Sequence, residues 1–165
     1  MPITLQGSCR CGAVRFSCDS HTPQPYQRCY CSICRKTAGG GGYAINLGAN
    51  TQGMQVQDPQ RAIRVFRAEI RQEDGSCMLS TAERNACSHC ATALWLFSPE
   101  WPELVHPFAS AIDGELPVPP SSVHLMLRFK PHWVVPQVGR EDACFDLYPE
   151  QSIKEWHRSR GLWVA

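Results

Sequence analysis

The chain has 165 residues, 43% apolar and 19% charged, with a formal net charge of +1. That length suits one domain with a core of its own, and the absence of any Lys or Arg run argues against a nucleic-acid-binding surface. No stretch of about eighteen apolar residues is present to span a membrane, and the start, Met-Pro-Ile-Thr-Leu-Gln, lacks the basic and apolar regions of a signal peptide, so a cytoplasmic protein is expected.

Taken in chain order, the first half reads as short strands between turns. Ile3 to Gln6 and Ala13 to Phe16 alternate apolar with polar residues around a Cys9/Cys11 turn. Tyr43 to Leu47 is a further strand, and the segment from Ala49 to Arg61, with Asn50, Gly53 and Pro59, reads as loop. Ile63 and Val65 alternate with Arg64 in the next strand. Met78 to Thr81 and Ala93 to Phe97 are expected to flank a Cys87/Cys90 turn as the first two strands flank theirs. Residues 112–122 carry Pro117, Pro119 and Pro120, which remove ladder donors, and Ser122 to Phe129 closes the strand series. Pro149 to Arg160 fits a helix, with Ile153 and Trp156 on one face and Gly161 as its stop. The expectation is a mainly β fold of short antiparallel strands with metal knuckles at strand turns, plus a short C-terminal helix.

Seven of the ten cysteines fall in three clusters: Cys9-x-Cys11, Cys29-x-Cys31-x-x-Cys34 and Cys87-x-x-Cys90. Such spacings in a reducing compartment point to metal before disulfides. A closed structural zinc takes four protein ligands and a catalytic zinc three, so seven divides as four plus three. Ferredoxin-type iron–sulfur runs use other spacings, so zinc is preferred. The isolated Cys18, Cys77 and Cys144 read as buried free thiols. His89, inside the third cluster, reads as a solvated side chain, and His21, His106, His124 and His132 have no ligand spacing.

Three motifs carry a resemblance. They are Gly7-Ser8-Cys9-Arg10-Cys11-Gly12, Cys29-Tyr30-Cys31-Ser32-Ile33-Cys34-Arg35-Lys36 followed by Gly39, and Arg84-Asn85-Ala86-Cys87-Ser88-His89-Cys90-Ala91-Thr92. The sequence resembles the glutathione-dependent formaldehyde-activating enzymes, a family that also contains centromere protein V. The likeness covers residues 3–133, leaving 134–165 as a C-terminal extension whose short helix packs on the same domain. It implies an Mss4-like β-tent with two zinc ions. Cys9, Cys11, Cys87 and Cys90 would form the closed, structural site, and Cys29, Cys31 and Cys34 the open, catalytic one. The sequence departs from the family pattern at Tyr30, where a histidine is usual, and at Ala91 and Ser110, where glycines are usual.

An open three-thiolate zinc suits a sulfur ligand, because metals deprotonate coordinated thiols and the thiolate is the nucleophile. The implied chemistry is a carbon–sulfur lyase reaction, forming or cleaving a hemithioacetal from a thiol such as glutathione and a small aldehyde such as formaldehyde. Glutathione carries two carboxylates, for which Arg35, Lys36 and Arg10 are candidate cations; solvated surface charge is the competing reading for each. Tyr30, beside the open site, and Gly39, in a Gly39 to Gly42 run that would allow close backbone approach, are counted with Arg35 and Lys36 as substrate-binding residues. Trp95, Phe97 and Trp101 read as core more readily than as pocket walls. The alternative function is a non-catalytic, zinc-stabilised binding module, in which Cys18, Cys77, Cys144 or His89 would close the second site. A redox role for Cys-x-x-Cys is weaker, since no βαβ pattern surrounds either pair. Small-molecule partners are expected, without nucleic acid or membrane, in a monomer or homodimer.

Overall fold

A computed structural model describes Met1–Ala165 throughout. The strands, in chain order, are β1 (Ile3–Ser8), β2 (Arg15–Ser20), β3 (Gln27–Cys29), β4 (Ala44–Ile45), β5 (Ala49–Asn50), β6 (Gln55–Gln57), β7 (Ile63–Phe66), β8 (Glu69–Arg71), β9 (Cys77–Leu79), β10 (Glu83–Cys87), β11 (Ala93–Phe97), β12 (Leu104–Pro107), β13 (Val123–Leu125) and β14 (Ala143–Cys144). Two α-helices, α1 (Ser32–Thr37) and α2 (Ile153–Ser159), and two single 3-10 turns, Ala109–Ala111 and Leu127–Phe129, complete the regular structure. No helix is long and apolar enough to cross a membrane.

Hydrophobic alternation sets the first hairpin. β1 and β2 pair antiparallel with Leu5 opposite Cys18 and Gly7 opposite Phe16, so these residues share the buried face. Any side chain at position 7 would collide with the Phe16 ring and the Ala111 carbonyl, which explains the glycine there. A five-stranded antiparallel sheet runs in the order β5-β12-β11-β10-β7. Leu5, Val14, Phe16, Leu47, Leu94, Trp95 and Val105 make one core between these layers, and Cys9 and Cys87 are part of it. Phe16 meets Trp95 edge to face at 5.1 Å, a favoured aromatic geometry.

A second core gathers Tyr26, Phe108, Val123, Leu125 and Trp156, together with Cys29 and Cys34. Its sheet has the order β14-β13-β3-β4. Here β13 pairs parallel with both β3 and β14, the exceptions in an otherwise antiparallel molecule. The Trp156 ring of α2 stacks on Tyr26 at 3.6 Å, so the C-terminal segment closes this core. Each thiol cluster is thus seated at the edge of its own apolar core.

Several expectations from the sequence need correction. The strand entering the third knuckle is β10, whereas Cys77–Leu79 belongs to a separate hairpin with β8. The stretch read as loop holds the short strands β5 and β6, which cover the edges of two sheets. β12 and α1 escaped the sequence reading. The C-terminal helix begins at Ile153, because Ser152 caps it and exchanges hydrogen bonds with Glu155 in a capping box. Cys18 is buried as expected, but Cys77 and Cys144 are exposed.

Candidate metal centres

The first centre is made by two knuckle turns from distant parts of the chain. The β1–β2 turn presents Cys9 and Cys11, with Gly12 at φ 78° closing it through a hydrogen bond to the Cys9 carbonyl. The β10–β11 turn presents Cys87 and Cys90, and Arg10 N donates to Thr92 Oγ1 across the join at 3.1 Å. The four sulfurs lie within 4.8 Å of one another. Cys9 and Cys11 are 3.5 Å apart, Cys11 and Cys87 3.8 Å. Tetrahedral Zn–S bonds of about 2.3 Å put neighbouring sulfurs about 3.8 Å apart. The set therefore fits a closed four-thiolate zinc without rearrangement.

Local donors favour thiolates here. Val14 N donates to Cys9 Sγ at 3.3 Å. The Thr92 hydroxyl and amide bring Cys90 down to about 5. The Ala13 amide also favours the Cys11 thiolate, yet proton sharing with Cys9 and Cys90 lifts that group to about 11. A bound cation would supply the positive charge that four crowded sulfurs call for. His89 is exposed and outside the set, as a solvated knuckle side chain should be.

The second centre is local. β3 ends at Cys29, Cys31 caps α1, and Cys34 lies one turn inside that helix, which brings the three sulfurs within 4.8 Å. Cys34 N donates to Cys31 Sγ at 3.2 Å, the N-cap bond that ordinarily goes to an oxygen. Hydrogen bonds from Cys29 and Cys34, followed by the backbone amides of Cys34 and Ile33, hold Cys31 down to about 2. Sharing with Cys31 and Cys34 pushes Cys29 well up. No fourth Cys, His, Asp or Glu joins the group. Three sulfurs ringed by donors fit a zinc with one position left for a non-protein ligand.

Beyond the thiols, Cys34 Sγ accepts from Arg84 Nη2 at 3.6 Å and from Asn46 Nδ2 at 3.9 Å. Partial desolvation, then the charges of Cys29, Cys31 and Cys34, raise the Tyr148 phenol, which puts this residue within electrostatic reach of the sulfurs. Sequence reasoning singled out neither Arg84 nor Asn46, the two side chains that contact a sulfur, nor Tyr148. Arg84 was visible only as the first letter of a cysteine motif, and Tyr148 carries no local signal.

The expected substrate residues divide. Arg35 is half-buried and Lys36 exposed, both in the last turn of α1 beside Cys34. Arg10 is exposed at the other centre. Tyr30 needs correction as a ligand-contacting residue: it is 1% exposed, and its hydroxyl bonds His124 Nδ1 at 2.8 Å. His124 Nε2 in turn meets Asp142 Oδ2 at 3.2 Å. With the carboxylate as acceptor, Nε2–H donates to Asp142 and Nδ1 accepts from Tyr30. Tyr30 therefore braces the loop between Cys29 and Cys31 from behind. At Gly39 a side chain would collide with the Tyr43 carbonyl, so glycine there serves backbone packing. Trp95 is in the core, Phe97 half-buried and Trp101 exposed.

With this geometry in view, similarity to known proteins is specific. Residues 4–126 match the family model described as glutathione-dependent formaldehyde-activating enzyme. A curated Halomonas elongata protein is 56% identical over 160 residues, spanning 97% of this chain and 98% of that protein; its name provisionally describes it as a glutathione-dependent formaldehyde-activating enzyme. A crystal structure of a Rhodobacter sphaeroides protein aligns with a TM-score of 0.49 and 22% identity, over 68% of this chain and 92% of that one. The chain belongs to the glutathione-dependent formaldehyde-activating enzyme family.

Proposed function

We infer that the protein is a zinc-dependent carbon–sulfur lyase that joins a thiol to a small aldehyde, or reverses that addition, in a reducing compartment such as the cytoplasm. The observation that carries this reading is the three-sulfur group of Cys29, Cys31 and Cys34 with no fourth protein ligand. A binding module would need a closed second site, yet Cys18 lies in the other core and exposed Cys77, Cys144 and His89 stay out of the group.

The remaining four cysteines would hold the structural zinc. When bound at the three-cysteine group, the second zinc would supply an open position that lowers the pKa of an entering thiol. The chain's own residues do the rest. Burial of Cys29 and Cys34 limits water at the sulfurs, and the Cys34 amide orients Cys31. Arg35 and Lys36 offer cations to the carboxylates of a glutathione-like thiol. In the addition, the sulfur lone pair forms the C–S bond, the carbonyl π pair moves to oxygen, and a proton equal to the one released by the thiol completes the hydroxyl. Formaldehyde and glutathione are the substrates most consistent with the family.

Cys31→Ser tests the assignment. The variant is expected to keep the four-cysteine metal, lose the second, and fall at least about 100-fold in turnover of S-hydroxymethylglutathione formation, measured by exchange NMR to separate it from the spontaneous reaction. Wild-type turnover in the Cys31→Ser protein would remove the proposed role.

A further inference from the structure

Arg84 is the anomaly beside the three-cysteine centre. It is a nine-tenths-buried arginine on β10, between Phe66 of β7 and Leu96 of β11. A buried guanidinium ordinarily sits against a carboxylate, because an unpaired interior charge costs several kcal/mol or about that order. Arg84 has none: the molecule's one ion pair is His124 with Asp142. Its partner is the Cys34 sulfur, through Nη2, while Nη1 is buried with no hydrogen-bond partner at all.

Asn46, the residue after β4, repeats the pattern. Its Nδ2 points at the same sulfur, and its Oδ1 is likewise buried and unpartnered. Each orphaned atom is attached to the same carbon as the nitrogen that meets Cys34. One spare donor and one spare acceptor therefore sit on the two side chains that meet the sulfur, from two positions far apart in sequence. Buried polar atoms are nearly always satisfied, so such a pair calls for a partner that the protein itself does not provide.

We propose that Arg84 and Asn46 form the oxygen-binding subsite of the three-cysteine centre, with Arg84 Nη1 donating to the aldehyde oxygen and Asn46 Oδ1 accepting from the hydroxyl of the adduct. This rests on the thiol–aldehyde reading above. The oxygen gains charge as the C–S bond forms, and a preset donor in a water-poor site acts on the charge that develops. Arg84 thus pairs first with the thiolate and then also with the growing alkoxide, which takes its proton from solvent. In the reverse direction Asn46 Oδ1 first orients the hydroxyl by accepting its hydrogen bond; the proton then leaves to solvent, the oxygen pair re-forms the carbonyl, and the C–S pair returns to sulfur. No oxidant or reductant enters.

Formate, a planar oxygen ligand the size of formaldehyde, is the probe. In cobalt-substituted wild-type protein loaded with glutathione, formate should shift the visible spectrum and inhibit turnover. Arg84→Met should bind both metals and respond to glutathione as wild type does, lose the formate shift, and show kcat lower by about 100-fold with the thiol KM within about threefold. Should Arg84→Met lose its second metal, Asn46→Leu and Arg84→Lys carry the test, each expected to weaken formate inhibition and lower kcat by about tenfold. A kcat within threefold of wild type in the metal-replete variants, or equal formate shifts in wild type and variants, overturns the subsite. Absent response of wild type to glutathione would instead sink the lyase reading, and absent response of wild type to formate alone would sink the subsite.

Discussion

Individual side chains show how one residue type takes different roles from its surroundings. His157 is wholly buried, donates from Nδ1 to the Ile153 carbonyl at 2.8 Å, and accepts at Nε2 from Gln24 N at 3.2 Å. Both ring nitrogens are committed in the neutral form, and burial lowers its pKa from the ordinary 6.5. His106 is lowered by burial as well. A histidine with a depressed folded pKa stabilises above its unfolded value and loses that contribution as pH falls. Stability of the zinc-loaded protein should therefore decline below about pH 6.5, with a slope of at most about 1.4 kcal/mol per pH unit for each histidine. Urea midpoints across that range measure it, and His157→Gln should flatten the slope; an unchanged slope would contradict this account. Other residues were legible only by kind. The cysteine spacing marked seven candidate ligands, which the fold gathers into groups of four and three, but nothing near Tyr30 announced that its hydroxyl would turn inward to His124, ninety-four positions away.

At the level of elements, the metal knuckles were the easiest features to read, because a short-range Cys spacing specifies its own turn. The strands were harder. β5 and β14 are two residues long, below the length at which alternation can register, and are fixed by their partners β12 and β13. α1 has six residues and depends on Cys31 as its cap, a residue outside the usual capping set. The β10–β11 knuckle carries a testable departure. Ala91 adopts φ 59°, a left-handed conformation that costs an L-residue about 1–2 kcal/mol. Glycine relieves this strain but loses more entropy on folding, about 0.5–1 kcal/mol. Ala91→Gly should thus raise stability by about 0.5–1 kcal/mol, read as a higher urea midpoint at saturating zinc. A lower midpoint would show that the Ala91 methyl does more than tolerate the turn.

Across the whole molecule, two cores and two thiol clusters are arranged in parallel. The four-cysteine set joins the first hairpin to the five-stranded sheet, and the three-cysteine set lies where β3, α1 and the C-terminal segment meet. The division of seven cysteines into four and three could be counted in the sequence. Which four come together followed from family likeness, since only the packed sheets bring the turns at Cys9 and Cys87 into contact. Arg84 and Asn46 lay beyond sequence reasoning for the same reason: Arg84 reaches Cys34 from β10 and Asn46 from just past β4. The central claim is that the three-cysteine metal accepts an external thiol. Titrating glutathione into the cobalt-substituted protein tests it most directly: the thiolate-to-cobalt absorption should grow with saturation at one thiol per chain, and Cys31→Ser, which keeps the absorption of the four-cysteine site, should show no such growth. An unchanged spectrum at millimolar glutathione would contradict it.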